Sequence, residues 1–217
     1  MYQESNNPKS LIAVFNDSRE TFEKFKLYES QLRRWQNAIN IVAPSTLNHL
    51  WYRHFTDSAQ IAELIPPTAS HLVDAGSGGG FPGLVLAILF RDRSDFRVTL
   101  VESNKKKTAF LRETASKLEI PVEIMSTRIE SNVTVTKLSD VDIVTARAFA
   151  PLDRLLNMVS PIFSNRTKGI FLKGCNIDYE IKLAQKTWEY KYELRKSKTE
   201  PNARVVILWD LARKLEV

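Results

Sequence analysis

Five of the seven glycines in this 217-residue chain fall within eleven residues, VDAGSGGGFPG at 73–83. The run follows the apolar stretch HLV and precedes PGLVLAILF, so it sits where a strand turns into a helix. Pro82 suits the first helical turn, because the N–H it lacks has no intrahelical partner there. Such a turn brings bare backbone against a ligand, while the helix N-terminus offers free N–H groups. Asp74 stands just before the first glycine, and a second acid, Glu102, ends the next apolar run, RVTLVE.

Two nucleotide chemistries use that arrangement. Gly78, Gly80 and Gly83 satisfy the G-x-G-x-x-G pattern of dinucleotide folds, whose pyrophosphate lies on the helix start. The Phe81 ring and Pro82 would crowd that pyrophosphate, and Glu102 lies further from the first glycine than the ~20 residues usual for a dinucleotide unit. Asp74, Gly76, Gly78 and Gly80 instead form the D-x-G-x-G-x-G turn of S-adenosylmethionine-dependent methyltransferases. There an acid before the first glycine meets the ligand's ammonium, and a carboxylate at the tip of the second strand accepts both ribose hydroxyls. A glycine turn with no ligand is the remaining reading, and two acids clustered about the loop argue against it.

The elements that must hold this loop follow from periodicity. Phe22, Phe25, Tyr28, Leu32, Trp35 and Ile39 recur at steps of three and four, one apolar stripe on a helix over 22–39, with Asp17 and Glu20 as its start signal. Pro44 breaks the pattern, and a helical reading resumes from 46 until Pro66-Pro67. From His71 short apolar runs alternate with helical segments. Strands are expected near 71–76, 97–102, 122–127, 141–147, 169–173 and 204–209, with another near 192–197; helices are expected near 82–91, 105–118, 151–163 and 177–188. This alternation predicts an α/β fold: a doubly wound, mostly parallel seven-stranded sheet with an N-terminal helical cap. The cap, 1–68, is read as integral to one domain with the sheet, 69–217.

Composition bounds the rest. Hydrophobic content of 43% and charged content of 26% are those of a soluble globule. The start, MYQESNNPKS, lacks the basic and apolar regions of a secretion signal, no apolar run reaches the ~20 residues of a membrane span, and the one cysteine, Cys175, excludes an internal disulfide. A cytoplasmic protein is expected. A net charge of +6 raises the odds of a polyanionic partner.

RHFTDS (53–58), VDAGSGGGFPG (73–83), RIE (128–130), ARAFAPL (146–152) and FLKG (171–174) occur in that order. In them, over roughly residues 30 to 210, the chain resembles the glucose-inhibited division protein B family, guanine-N7 methyltransferases of bacterial 16S ribosomal RNA. The Phe81-Pro82-Gly83 ending of the glycine run is the most specific element. The resemblance implies a class I, Rossmann-like fold and S-adenosylmethionine as cofactor. It places Gly76 and Phe81 in the cofactor pocket, Ile129 and Glu130 beside the adenine, and Arg147 on the cofactor side of the cleft. Asp74, Gly78, Gly80 and Glu102 join that set from the general methyltransferase pattern. The implied partner is 16S rRNA or the small ribosomal subunit, for a monomer with no metal and no membrane association. Two positions depart from the family: Ala59 where leucine is commoner, and Ala146 where serine is usual.

The remaining residues narrow the chemistry. Methylation of a pyrimidine carbon needs a cysteine nucleophile, and only Cys175 is present; amino-group methylation commonly uses an Asn/Asp-Pro-Pro-aromatic loop, which ARAFAPL lacks. Guanine N7 offers a lone pair and carries no proton at neutral pH, so positioning alone can carry the transfer. Arg147 is the candidate orienting residue, toward the cofactor or the guanine O6, with a surface salt bridge as the other reading. Arg53, His54 and Asp57 can share a helix face, either fixing the cap or touching RNA. His49, His54 and His71 are too scattered for a metal site. Lys105, Lys106, Lys107, Arg112, Arg33 and Arg34 are candidates to track phosphates. Lys173 at a strand end and Phe149 as a stacking ring are the substrate-side candidates. The rivals are a methyltransferase of another RNA or a small metabolite, a nicotinamide-dependent oxidoreductase, and a non-catalytic RNA-binding protein.

Overall fold

The computed structural model describes residues 19–138 and 140–215; Asp17, part of the expected helix start, lies outside them. One sheet is built from β1 (His71–Ala75), β2 (Arg97–Val101), β3 (Glu123–Met125), β4 (Ile143–Arg147), β5 (Lys168–Lys173), β6 (Trp188–Lys196) and β7 (Arg204–Arg213). Its order is β3-β2-β1-β4-β5-β7-β6, with β1 to β5 parallel and β7 antiparallel to both its neighbours. The expected mostly parallel, seven-stranded sheet is therefore formed.

β1 is buried along its whole length, as a parallel strand covered on both faces must be. Period-two geometry divides its side chains between the two layers. Leu72, Ile143, Ile170 and Val205 enter one apolar cluster; their successors Val73, Val144, Phe171 and Val206 enter the other. The first face carries α1 (Arg19–Gln36), α3 (Gly83–Leu89) and α4 (Lys105–Leu118), through residues such as Phe25, Leu84 and Phe110. The second carries α5 (Asn132–Lys137), α6 (Leu152–Val159) and α7 (Ile177–Ala184), through Val135, Leu155 and Ile181. Because Phe25, Tyr28, Leu32 and Phe55 belong to the same cluster as Leu84 and Phe110, the N-terminal helices and the sheet share one core.

Several boundaries differ from the sequence reading. The helical stretch expected from 46 to 65 is broken into 3-10 turns at Pro44–His49 and Ala62–Leu64, a π-helical turn at Trp51–Thr56, and the three residues of α2 (Asp57–Ala59). α7 ends at Ala184 rather than 188, since Trp188 already pairs with Arg213 in the β6–β7 ladder. α6 stops at Val159, where Pro161 carries the chain into a 3-10 turn, Ser160–Ile162. α5 was not anticipated: NVTVTK is rich in β-branched residues, which disfavour helix. A local cap decides it, with the Thr134 N–H donating to the Ser131 hydroxyl.

Candidate active site

An open cleft of about 820 Å³ lies where β1, β2, β4 and β5 end, the edge at which α/β sheets bind ligands. Gly76, Gly78, Phe81, Glu102, Ile129, Glu130, Arg147, Phe149 and Lys173 all line it. Asp74 and Gly80 do not. The Asp74 carboxylate is fully buried beneath the loop, accepting from Thr145 Oγ1 at 2.8 Å and from the Gly83 N–H at 3.1 Å. Gly80, at φ 87°, turns its bare α-carbon toward the Tyr28 hydroxyl and Leu84.

The glycine loop is held from both sides. Tyr28 on α1 is wholly buried and donates its hydroxyl to the Gly79 carbonyl. The Phe81 ring stacks on Tyr28, centroids 5.5 Å apart and 11° from parallel, and meets Phe55 and His54 at 5.8 and 5.0 Å. The aromatic that stops the glycine run is thus its anchor in the core. From above, Glu102 Oε2 accepts from the Gly78 N–H at 2.9 Å while Oε1 accepts from Asn104 N–H at 2.7 Å. Each carboxylate oxygen retains a second lone pair for a ligand hydroxyl.

Beside the loop, the Phe149 ring rests on Gly76, occupying the space a β-carbon there would need. It is 37% exposed, and it follows Ala148, whose φ of 49° is strained for a residue with a side chain. Lys173 reaches the same turn from below. Its ammonium donates to the Ala150 carbonyl at 2.7 Å and pairs with Glu180, which also accepts from the Leu152 N–H.

Arg147 joins β4 to the N-terminal helices. It donates to the Arg53 carbonyl at 2.9 Å and to Asp57 at 3.3 Å, approaches His54 Nδ1 at 2.6 Å, and lies 5.0 Å from the Phe81 ring. Asp57 also accepts from Thr199 Oγ1 at 2.6 Å and from the Gln60 amide at 2.8 Å, while Arg53 pairs with Glu200 at 2.9 Å. The sequence lets Arg53, His54 and Asp57 share a helix face, either fixing the cap or touching RNA. Each of Arg53 and Asp57 reaches a distant segment, Arg53 through Glu200 and Asp57 through Arg147 and Thr199, the contacts of a cap fixed to the sheet. Of the phosphate-tracking candidates, Arg33 and Arg34 are engaged by Glu29 and Glu113. Lys105, Lys106 and Lys107 pair with no acid among the described residues, and Lys107 lines the cleft.

The buried polar groups give the protein a pH signature. Burial first, then the charges of Arg147 and Arg53, hold His54 at about 3 against an ordinary 6.5. The unfolded chain therefore takes up a proton between those values that the folded chain refuses, and stability falls as pH drops through that window. Burial raises Asp74 to about 6 from 3.8, against hydrogen bonds from Thr145 and Gly83. There the folded chain takes the extra proton, so stability rises as pH drops from 6 toward 3.8. The two slopes oppose, and a variant must separate them. Between pH 7 and pH 5, His54→Asn is expected to gain about 2 kcal/mol on the wild type in urea denaturation, at 1.36 kcal/mol per pH unit. A gap that stays constant with pH would mean His54 titrates normally in the folded chain.

The family profile GidB, described as rRNA small subunit methyltransferase G, matches residues 21–204. Relatives named ribosomal RNA small subunit methyltransferase G include one from Parvibaculum lavamentivorans, 43% identical over 91% of this chain and 87% of its own length. Another, from Methylorubrum populi, is 44% identical over 94% of this chain and 95% of its own. Among solved structures, MtNAS in complex with MTA and tNA superposes with a TM-score of 0.55 at 14% identity, over 96% of this chain and 85% of that one. The ribosomal protein L11 methylase from Lactobacillus delbrueckii subsp. bulgaricus gives 0.52 at 15% identity, over 73% and 77%. A point mutant of MtNAS has also been solved with S-adenosylmethionine. At these identities the solved structures speak for the fold.

Proposed function

The chain belongs to the GidB family of rRNA small subunit methyltransferase G, and from that premise we propose that it transfers a methyl group from S-adenosylmethionine to N7 of a guanine in 16S rRNA. S-adenosylmethionine, when bound, supplies the electrophilic methyl. In this reading Gly76, Gly78 and Phe81 cradle the cofactor, Glu102 accepts its ribose hydroxyls, Ile129 and Glu130 border its adenine, and Arg147 orients cofactor or guanine. Asp74 and Gly80 support the loop from beneath. Phe149 stacks on the target base, and the Lys173–Glu180 pair fixes the turn that presents it.

One observation carries the N7 assignment: the acids of the cleft are already engaged. Asp57 is bound to Arg147 and Thr199, Glu102 to Gly78 and Asn104, Glu200 to Arg53, and Glu130 lies 3.8 Å from Arg128. A site without an idle base suits a nucleophile that needs no deprotonation. Cys175 is exposed and its thiol meets Asn176 Oδ1 at 3.8 Å; among the described residues no cation or base is bonded to it to favour the thiolate that covalent catalysis needs. The test is incubation with methyl-labelled cofactor and 16S rRNA from cells lacking the protein, followed by nucleoside analysis. Label is expected in 7-methylguanine at one position; label elsewhere, or none, refutes the assignment.

No helix among the described residues is long and apolar enough to cross a membrane, and none of their acids, histidines and cysteine cluster as metal ligands. We read the protein as a cytoplasmic monomer acting without a metal on 16S rRNA or the small subunit. Lys105, Lys106 and Lys107 sit in the first turn of α4, where cations oppose the helix dipole. Phosphate contact gives that placement a purpose. Replacing all three with alanine should reduce the slope of log affinity against log salt by roughly 2, at about 0.7 per contact on single-stranded RNA. Fluorescence titrations across a salt series measure it; an unchanged slope makes the three lysines ordinary solvated surface.

A further inference from the structure

The Arg147 guanidinium is tied along one side. Nη1 donates to the Arg53 carbonyl and to Asp57 Oδ2, and Nη2 donates to His54 Nδ1. Arginine has five N–H donors and no acceptor, so His54 Nδ1 must be the bare nitrogen. The ring proton then sits on Nε2, which donates to Thr46 Oγ1 at 2.8 Å; Thr46 Oγ1 donates in turn to the Ala43 carbonyl at 2.8 Å. A row that begins at a guanidinium and ends at a carbonyl runs in one direction only, and only through a neutral imidazole. The burial that depresses the His54 pKa keeps it in that form. The Phe81 ring lies under both groups, 5.0 Å from the imidazole and 5.0 Å from the guanidinium.

We propose that His54 is a positioning residue of the methyl-transfer site: its bare Nδ1, oriented by Thr46, sets the rotation of the Arg147 guanidinium and so decides which N–H groups face the cleft ligand. The Arg53 carbonyl and Asp57 both hold the guanidinium at Nη1 and, without a partner on Nη2, would let it swing about that nitrogen. His54 supplies the second fixed point. Nε–H and one Nη2 hydrogen then remain for the ligand. This inference rests on the reading of the cleft as a cofactor and guanine site.

Two measurements on the full chain test it. The first needs no variant: nitrogen NMR of histidine-labelled wild type should find His54 neutral, with the proton on Nε2, at pH 7 and at pH 5. The second is methyl-transfer kinetics. His54→Asn offers a carbonyl oxygen near the Nδ1 position and should keep kcat/KM within about threefold. His54→Leu fills the site without an acceptor and should lose roughly tenfold or more, but should cost nothing further on an Arg147→Ala background. The proposal is overturned if the proton is found on Nδ1 or the ring is cationic at pH 7. Equal losses in the Asn and Leu variants, or a full His54→Leu loss without Arg147, also overturn it. Absence of rRNA methylation by the wild type would instead sink the functional reading, and the NMR result would stand apart from it.

Discussion

Replacing Gly83 with alanine should lower the unfolding free energy by about 3 kcal/mol, the upper part of the range for overpacking a buried joint. An added β-carbon would strike Leu100 Cδ2 and lie 2.6 Å from Asp74 Cβ and 2.7 Å from Asp74 Oδ2. Leu100 has rotamers to move into. Asp74 has none to spare, since it is fully buried on a central strand, one oxygen on Thr145 and the other on the Gly83 N–H itself. The only relief is to lift α3 from β1, which breaks that N–H bond and leaves a buried carboxylate under-satisfied. For a chain of this size the melting temperature should fall by roughly 6–12 °C, and cofactor affinity should fall with it, because the loop is suspended from this joint. Gly78→Ala is the control. Its β-carbon meets only the Gly76 carbonyl at 3.8 Å, so the cost is the φ of 56° alone, about 1 kcal/mol. Urea denaturation of the two variants decides it: equal, mild losses would mean that α3 and β1 are not in tight contact.

That joint also shows what was legible in the sequence. The glycine loop, its strand and helix, and Glu102 on the next strand were readable because the signals are local: an apolar run, a cluster of glycines, an acid at the end of a run. The position of Asp74 was read by residue type, as an acid beside a ligand. Parity told the other story. Asp74 shares its face of β1 with Leu72, the face that α3 covers, so its carboxylate goes under the helix and binds Gly83. The last glycine is there to let helix and strand approach, a use general to such turns. Tyr28 was read as one member of an apolar stripe, but a tyrosine in a stripe brings a hydroxyl that needs a partner when buried, and the Gly79 carbonyl is that partner. Contacts such as Arg53 with Glu200, or Arg147 with His54, join segments 147 and 93 residues apart. No local pattern encodes them; they exist only once the sheet order has brought the end of β4, the π-helical turn and the β6–β7 loop together.

At that meeting point, Arg147→Ala and Arg147→Lys should separate what the side chain does for the fold from what it does for the reaction. Arg147 and Asp57 are 15% and 17% exposed, so the pair is largely withdrawn from water. Alanine leaves Asp57 with its Thr199 and Gln60 donors but no cation, and removal of one partner of a buried pair costs about 3–5 kcal/mol. Lysine restores a charge near Asp57 and should recover most of that stability. It cannot restore the geometry. An ammonium is a point donor on a flexible stem, whereas the guanidinium is a planar fork that reaches the Arg53 carbonyl, Asp57 and His54 together while lying against Phe81. The lysine enzyme should therefore fold at close to wild-type stability yet transfer methyl groups about 100-fold more slowly, the size of loss that accompanies misplacement by an ångström in a site that works by orientation. Calorimetric titration with S-adenosylhomocysteine shows whether the loss lies in cofactor affinity or in kcat. A lysine enzyme as active as the wild type would reduce Arg147 to a structural cation, and the orientation of the transfer would then have to come from Phe149 and the glycine loop alone.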